Sequence, residues 1–204
     1  YLNLYYRHLD KFSRIKTVFT IHNIAYQGKY GLDILEDTCG IGARDAHVVE
    51  YDGCANFMKG AIECADKVTT VSPTYAQELK YAYFAHGLEN VMSMNARKLH
   101  GVLNGIDMER YDPASDPNLT ANYSLRRMAG KAKDKAALQR MMGLAERKDT
   151  PVVAMVSRLV SHKGLDLVCE TLDYFMEKDM QLVVLGKGDG KYESFFSWAQ
   201  ALSL

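Results

Sequence analysis

The sequence predicts an α/β protein built on parallel sheets, because strand-like and helix-like segments alternate along the chain. Four apolar runs rich in β-branched residues are typical of buried strands, and they lie at 16–21, 67–71, 151–157 and 181–186. Between the last two, residues 163–177 carry their apolar side chains on one helical face. Strands joined by helices of this length form β-α-β units, so both faces of each sheet are expected to be buried.

The first half of the chain repeats this alternation. Residues 52–65 are predicted to be helical, since apolar side chains recur there at helical spacing. The strand at 67–71 runs into Ser72-Pro73, which is typical of a helix start with serine as the cap and proline in the first turn. A weaker helix is predicted around 88–97, followed by a short strand at 100–103.

The alternation breaks at 107–124, which holds two of the four prolines and many turn-forming residues. A helix is predicted beyond it at 126–142, with Gly143 as its C-terminal stop. The strands after this helix begin a new β-α-β series. The sequence therefore predicts two parallel sheets, each incomplete.

Composition excludes several classes of protein. The chain has 204 residues, with 25 Lys+Arg against 25 Asp+Glu and 48% hydrophobic residues. This balance is that of a folded globular protein, and zero net charge argues against general binding to nucleic acid or acidic membranes. No apolar run approaches the ~20 residues that span a bilayer. The four cysteines are irregularly spaced without a C-x-x-C pair, which favours reduced, mostly buried thiols over zinc or disulfides.

Two basic residues flank the turn that follows the strand at 151–157. Arg158 lies at the strand end, and Lys163 is predicted at the start of the next helix. Both side chains, together with the helix N-terminus, can then face one volume, an arrangement suited to a phosphate or diphosphate. Solvated surface cations are an equally good interpretation of the residues alone.

Other polar groups also follow predicted strand ends, where ligands bind in doubly wound folds. His22-Asn23 follows the first strand, and Asn104 follows the strand at 100–103. His22 could donate a hydrogen bond to a hydroxyl or transfer a proton, or it could simply cap its loop. GKGDG, with Gly186 and Gly188, lies between a strand and a helix, and it suits either a phosphate loop or a plain tight turn.

These residues lie in five strings that resemble bacterial-type glycogen synthases and plastid starch synthases. The strings are TVFTIHNIAYQG at 17–28, ADKVTTVSPTYAQEL at 65–79, GVLNGID at 101–107, SRLVSHKGLDL at 157–167 and LVVLGKGD at 182–189. Their order and spacing agree with the family from about residue 16 to residue 196. One such string would be weak evidence, whereas five in the same order are specific.

The resemblance implies a B-type glycosyltransferase fold, with two Rossmann-like domains facing each other across a cleft. Residues 1–107 would be the C-terminal part of the acceptor-side domain and 151–204 the start of the nucleotide-sugar domain, with 108–150 as linker and connecting helix. The implied activity is retaining transfer of glucose from ADP-glucose to the 4-hydroxyl at the end of an α-1,4-glucan. The implied location is the bacterial cytoplasm, and neither a metal nor another cofactor is expected.

The resemblance also implies a role for each candidate residue. His22 would contact the donor glucose and help stabilise the transition state, with Asn23 and Asn104 in the same sugar pocket. Arg158 and Lys163 would hold the donor diphosphate. The glycines of the last string, Gly186 and Gly188, would let the backbone approach the nucleotide.

Parts of the family's site lie outside these 204 residues. They include the K-x-G-G-L loop, a second glycine-rich loop and the glutamate that contacts glucose. We therefore predict that these 204 residues alone have little or no synthase activity. Two alternatives stay open: another B-type retaining enzyme, similar to sucrose or trehalose-phosphate synthases, and a non-catalytic module that binds nucleotide or glucan.

Overall fold

The computed structural model describes residues 1–202, and the chain divides into two compact units, Tyr1–Ile106 and Asp107–Leu204. Each unit holds a parallel sheet, so the predicted α/β class is confirmed. The division falls beside residue 107, and residues 108–150 belong to the second unit. No helix within residues 1–202 is long and apolar enough to cross a bilayer.

The strands of the first unit form two small sheets. They are β1 Val18–Ile21, β2 Lys29–Tyr30, β3 Glu50–Tyr51, β4 Cys54–Asn56, β5 Lys67–Thr70 and β6 Leu99–Gly101. The first sheet is parallel, with β5 between β1 and β6, and the second is antiparallel, with β4 between β2 and β3. In the parallel sheet Ile21, Thr70 and Gly101 lie in register, so the three strands end at the same edge.

The helices of the first unit are short. They are α1 Asp10–Ser13, α2 Ile34–Asp37, α3 Phe57–Cys64, α4 Pro73–Glu78, α5 Ala82–Ala85 and α6 Glu89–Met94, with a π-helical turn at Leu2–Tyr6 and 3₁₀ turns at Ala46–Val48 and Ala96–Lys98. The predicted start of α4 is confirmed, because the Ser72 side chain accepts a hydrogen bond from the Tyr75 N–H at 3.3 Å. The buried Asn56 side chain caps α3 in the same way, at 3.0 Å from the Lys59 nitrogen.

The helix predicted over 52–65 is wrong in its first five residues. Asp52 and Gly53 both have positive φ, 53° and 72°, and they turn β3 back onto β4. Asp-Gly is the pair that a two-residue hairpin turn of this kind prefers. The helical spacing of the apolar side chains begins only after this hairpin, at Phe57.

The main core of the first unit packs the parallel sheet against α3, α4 and α6. The core is formed by apolar residues that are buried or nearly so: Ile21, Ile24, Met58, Ile62, Ala65, Val68, Ala76, Leu79, Leu88, Val91, Met92 and Leu99. Ile24 lies beyond β1 and anchors the following loop in this core. The sheet edge from which the candidate residues leave is thus built on the larger of the two buried clusters described in this unit.

Asp66 ties the N-terminal segment to the parallel sheet. Its carboxylate accepts two hydrogen bonds from the Arg7 guanidinium, each 2.6 Å, and two more from the Thr17 N–H and hydroxyl, at 2.7 and 3.0 Å. The Arg7 guanidinium, followed by the Thr17 N–H, holds the pKa of Asp66 well below its usual range. A bidentate pair of this geometry is stronger than an ordinary surface ion pair.

We expect this carboxylate to make the protein sensitive to acid. A depressed pKa in the folded state adds stability above the unfolded value of about 3.9, and that stability is lost as the pH falls toward the lower folded value. The variant Asp66→Asn should therefore unfold at a lower urea concentration than the unchanged protein at pH 7. The difference between the two urea midpoints should become smaller below about pH 4. Urea titrations followed by circular dichroism at several pH values measure this difference.

Glu146→Gln is the matched control for Asp66→Asn. Glu146 accepts a bidentate pair from Arg140 at 2.9 and 3.1 Å, but both side chains are exposed to solvent, by 47% and 69% respectively. Exposed pairs contribute little to stability. Equal pH profiles for the two variants would show that Asp66 is no more than a surface charge.

The second unit is built around one parallel pair of strands, β7 Val152–Val156 and β8 Gln181–Leu185, in register from Val152↔Gln181 to Val156↔Leu185. Its helices are α7 Ala129–Met141, α8 Leu165–Met176 and α9 Gly190–Leu202. Leu159, Leu165 and Tyr192 form the buried centre, which brings the β7–α8 loop, α8 and α9 together.

Several predicted boundaries shift by a few residues. The helix predicted from residue 126 begins at Ala129, because Ser124 and Arg127 first close a tight turn with two backbone hydrogen bonds. Gly143 is left-handed, as expected of the stop after this helix. The strand predicted at 100–103 is β6, which ends at Gly101. Within the described residues the four cysteines are unpaired, and each is partly buried.

Candidate functional site

The common edge of the first sheet brings two of the predicted positions together. His22 leaves this edge directly after β1, and the segment leading to Asn104 leaves it after β6. Only β5 separates the two exits, so they lie two strand spacings apart, about 10 Å. Both side chains are exposed and can meet a ligand at this edge.

Hydrogen bonds from β5 and α4 hold the peptide on either side of His22-Asn23. The Thr70 hydroxyl donates to the Ile21 carbonyl at 2.9 Å, and the Ile24 N–H donates to the Tyr75 hydroxyl at 3.4 Å. Thr70 is 1% exposed, so its hydroxyl is buried at the strand end. The loop is therefore fixed immediately before His22 and immediately after Asn23.

The far end of the same loop is held by a buried pair of amides. Gln27 accepts a hydrogen bond from the Asn56 amide at 2.7 Å and donates to the His86 carbonyl at 3.0 Å. His86 has a left-handed backbone with φ of 50°, an uncommon conformation for a residue other than glycine. The loop from His22 to Gly28 is thus attached at both ends.

Asn23 is partly committed to its own loop. Its side-chain carbonyl accepts a hydrogen bond from the Ala25 N–H at 2.9 Å, which shapes the turn. The side-chain NH₂ group is the part of Asn23 suited to donate to a sugar hydroxyl.

Gly101 allows β6 to end against the first turn of α4. A Cβ atom on Gly101 would lie 2.2 Å from the Pro73 Cα and 2.3 Å from the Ser72 carbonyl oxygen. Real Cβ atoms do not approach backbone this closely, so this crossing requires glycine. The sequence does not reveal this role, because the contact depends on strand pairing between segments far apart in the chain.

In the second unit, Arg158 and Lys163 flank the loop that joins β7 to α8. Arg158 follows the strand end, where the Ser157 N–H still donates to the Leu185 carbonyl at 3.1 Å. Lys163 ends a 3₁₀ turn rather than starting the helix, since Gly164 is left-handed with φ of 75° and α8 begins at Leu165. Both cationic side chains are exposed.

The first turn of α8 lacks a side-chain cap because its capping position is Gly164. Asp166 in this turn is engaged instead by α9: the Tyr192 hydroxyl donates to it at 2.6 Å, and the Lys191 ammonium lies 3.3 Å away. The Tyr192 hydrogen bond, with Lys191, lowers the pKa of Asp166. The acidic charge near the helix start is therefore partly balanced from α9.

Gly186 and Gly188 let the loop after β8 cross the loop after β7. The Leu159 N–H donates to the Lys187 carbonyl at 3.0 Å, and the Asp189 N–H donates back to the Leu159 carbonyl at 2.8 Å. A Cβ atom would lie 2.0 Å from the Ser157 oxygen at Gly186 and 2.3 Å from the Leu159 oxygen at Gly188. The glycines are thus needed for contact between two backbone segments, whereas their approach to a nucleotide stays a prediction.

These observations place every predicted residue at the carboxyl end of a strand or in the loop after it, as ligand-binding residues are in open α/β sheets. His22, Asn23 and Asn104 share one edge of the first sheet, while Arg158, Lys163, Gly186 and Gly188 share the loops of the second unit. Sequence reasoning did not foresee that Thr70, Tyr75 and Gly101 shape the first edge.

Comparison with solved structures identifies the fold. The chain matches the catalytic domain of starch synthase IV from Arabidopsis thaliana, solved with ADP and acarbose, with a TM-score of 0.86 and 31% sequence identity. The match covers 98% of this chain and 43% of that one. The structure therefore has the B-type glycosyltransferase fold of starch synthases, and the predicted fold family is confirmed.

The sequence comparisons agree with this structural match. Residues 1–94 match the family model of the starch synthase catalytic domain. Glycogen synthases from Ligilactobacillus salivarius and Geobacillus thermodenitrificans are each 47% identical, over 95% and 94% of this chain. The chain spans about two fifths of the length of these relatives. The predicted resemblance to glycogen and starch synthases is confirmed.

Proposed function

We propose that this chain is part of a glucan synthase, an enzyme that transfers glucose from ADP-glucose to the non-reducing end of an α-1,4-glucan with retention at the anomeric carbon. The observation that carries the proposal is 47% identity to glycogen synthase over 95% of the chain. The solved relative with ADP and acarbose supports a nucleotide and a glucan-like ligand. The cytoplasmic location stays a prediction.

Within the second unit, Arg158 and Lys163 suit the donor diphosphate. Arginine supplies a planar pair of donors and lysine a compact charge, and Lys163 lies two residues before the uncapped start of α8. Negative charge develops on the diphosphate as the sugar leaves. Cations fixed in advance at that position stabilise the transition state more than the ground state.

The transfer step exchanges one bond at the glucose C1 atom. The C1–O bond to the diphosphate breaks, and its electron pair stays with the diphosphate oxygen. The acceptor 4-hydroxyl oxygen bonds to C1 on the face that the diphosphate leaves, and the hydroxyl proton passes to the departing oxygen. This front-face exchange retains the anomeric configuration without a carboxylate nucleophile on the enzyme.

His22, Asn23 and Asn104 are proposed to bind the donor glucose. His22 would hydrogen-bond a sugar hydroxyl and support the positive charge that develops on the ring. The two asparagines would orient the sugar through side-chain amides. Because the departing charge is met by side-chain cations, we propose that the step proceeds without a metal ion or another cofactor.

Two measurements test this function. Isothermal titration calorimetry of the 204-residue chain should show heat of binding with ADP and with ADP-glucose. The natural full-length protein should transfer labelled glucose from ADP-glucose to glycogen. Heat without transfer in that protein would indicate a non-catalytic binding module. Transfer from another sugar nucleotide, or formation of sucrose from fructose or of trehalose phosphate from glucose phosphate, would indicate a different B-type enzyme.

A further inference from the structure

Two hydroxyl groups bracket the dipeptide that is proposed to meet the donor sugar. Thr70 binds the carbonyl of Ile21, the residue before His22, and Tyr75 binds the N–H of Ile24, the residue after Asn23. We propose, as an inference that rests on the proposed function, that Thr70 and Tyr75 are positioning residues. Their hydroxyls hold the backbone on either side of His22-Asn23 and so keep the His22 side chain in the orientation that the reaction needs.

The chemistry of Thr70 supports this inference. Thr70 is 1% exposed at the end of a central strand, where valine would have the same shape without a hydroxyl to desolvate. A buried hydroxyl is unfavourable unless it is hydrogen-bonded, so this one is matched to the Ile21 carbonyl. The bond connects two strands at the point where β1 turns into the His22 loop.

The location of Tyr75 makes the second attachment independent of the first. Tyr75 belongs to α4, whose first turn is fixed by the Ser72 cap, and its ring packs partly against the main core. Its hydroxyl therefore has a defined position in which it accepts a hydrogen bond from the Ile24 N–H. Small displacements of a reacting group lower rates strongly, so a loop attached on both sides of His22 favours catalysis.

Thr69 is a matched control for Thr70. It precedes Thr70 on β5, so its side chain points to the opposite face of the sheet, and its hydroxyl pairs with the Thr20 hydroxyl at 2.8 Å. Thr69→Val and Thr70→Val thus remove the same atom from adjacent positions. Only the second releases the peptide next to His22.

The kinetic test uses the protein as its cell makes it, with ADP-glucose and glycogen. Thr70→Val and Tyr75→Phe should each lower kcat about tenfold with KM changed less than about twofold, whereas Thr69→Val changes both less than about twofold. In a His22→Ala background, Thr70→Val should cause no further loss of kcat. Equal effects of Thr69→Val and Thr70→Val on kcat would overturn the inference. A tenfold loss of kcat on adding Thr70→Val to His22→Ala would overturn it as well.

A spectroscopic test separates this inference from the proposed function. In nuclear magnetic resonance spectra of the 204-residue chain, the ring and amide signals of His22 should shift or broaden in Thr70→Val and Tyr75→Phe, and stay in place in Thr69→Val. Unchanged His22 signals in Thr70→Val overturn the inference whatever the turnover. Shifted signals in a protein that transfers no glucose contradict the proposed function alone.

Discussion

Replacing Arg158 and Lys163 together with alanine should abolish most glucose transfer while leaving the fold intact. Each side chain is expected to stabilise the departing diphosphate, and removing one preorganised donor typically lowers kcat by about 10² to 10³. Because both act on the same charge, we expect a combined loss of about 10³, which is less than the product of the single losses, about 10⁴ or more. Transfer of labelled glucose to glycogen, in the protein as its cell makes it, measures the loss.

Lys178→Ala is the matched control for this double variant. Lys178 lies just beyond the opposite end of α8, with its ammonium 4.5 Å from the centre of the Tyr174 ring. The substitution removes a cation next to the same helix without touching the β7–α8 loop. Turnover should stay within about twofold of the unchanged protein, because an exposed cation–π contact is weak.

Thermal unfolding distinguishes lost chemistry from lost structure in the Arg158/Lys163 variant. Both side chains are exposed, so the free energy of unfolding should change by no more than about 0.5 kcal/mol for each substitution. Near-normal turnover would remove both residues from the donor site. A collapse of turnover together with unfolding would mean that the two cations stabilise the loop rather than the leaving group.

The placement of these two cations in one loop could be foreseen because it is local. Arg158 and Lys163 are five residues apart, and an apolar strand followed by an apolar-faced helix places the loop between them. The shared edge of His22 and Asn104 could be foreseen as well, since parallel strands end on the same side of a sheet. Hydrophobic periodicity and this topological rule were sufficient for these positions.

The attachments behind the site could not be foreseen from one sequence. Thr70 meets Ile21 only because β1 and β5 pair in one particular register, and the segments are 49 residues apart. Gly101 is required only because β6 ends on the α4 turn. Such contacts depend on tertiary packing, which leaves no periodic signal in either segment. The Asp52-Gly53 turn was different, since its local signal was present and the helical spacing of nearby residues obscured it.

Gly188→Ala should destabilise the second unit and weaken its binding of ADP. The added Cβ would lie 2.3 Å from the Leu159 oxygen and 2.6 Å from its carbonyl carbon, and these are backbone atoms held by two hydrogen bonds. Relief of the overlap requires the two loops to separate, which we expect to lower the free energy of unfolding by about 3 kcal/mol. Urea unfolding followed by the fluorescence of Trp198, the single tryptophan and a residue of α9, reports on this unit.

Gly190→Ala, two positions further along, is the control variant. It distinguishes the general effect of replacing a glycine from the steric overlap between the added Cβ atom and the Leu159 backbone. Gly190 opens α9, and a Cβ there would have no neighbouring atom within 4 Å. Alanine favours a helix over glycine, so this variant should be unchanged or more stable by up to about 1 kcal/mol. If Gly188→Ala unfolded at the same urea concentration as Gly190→Ala, the crossing of the two loops would not limit the stability of the unit. If Gly188→Ala kept its affinity for ADP despite the lower stability, the crossing would not shape the nucleotide site.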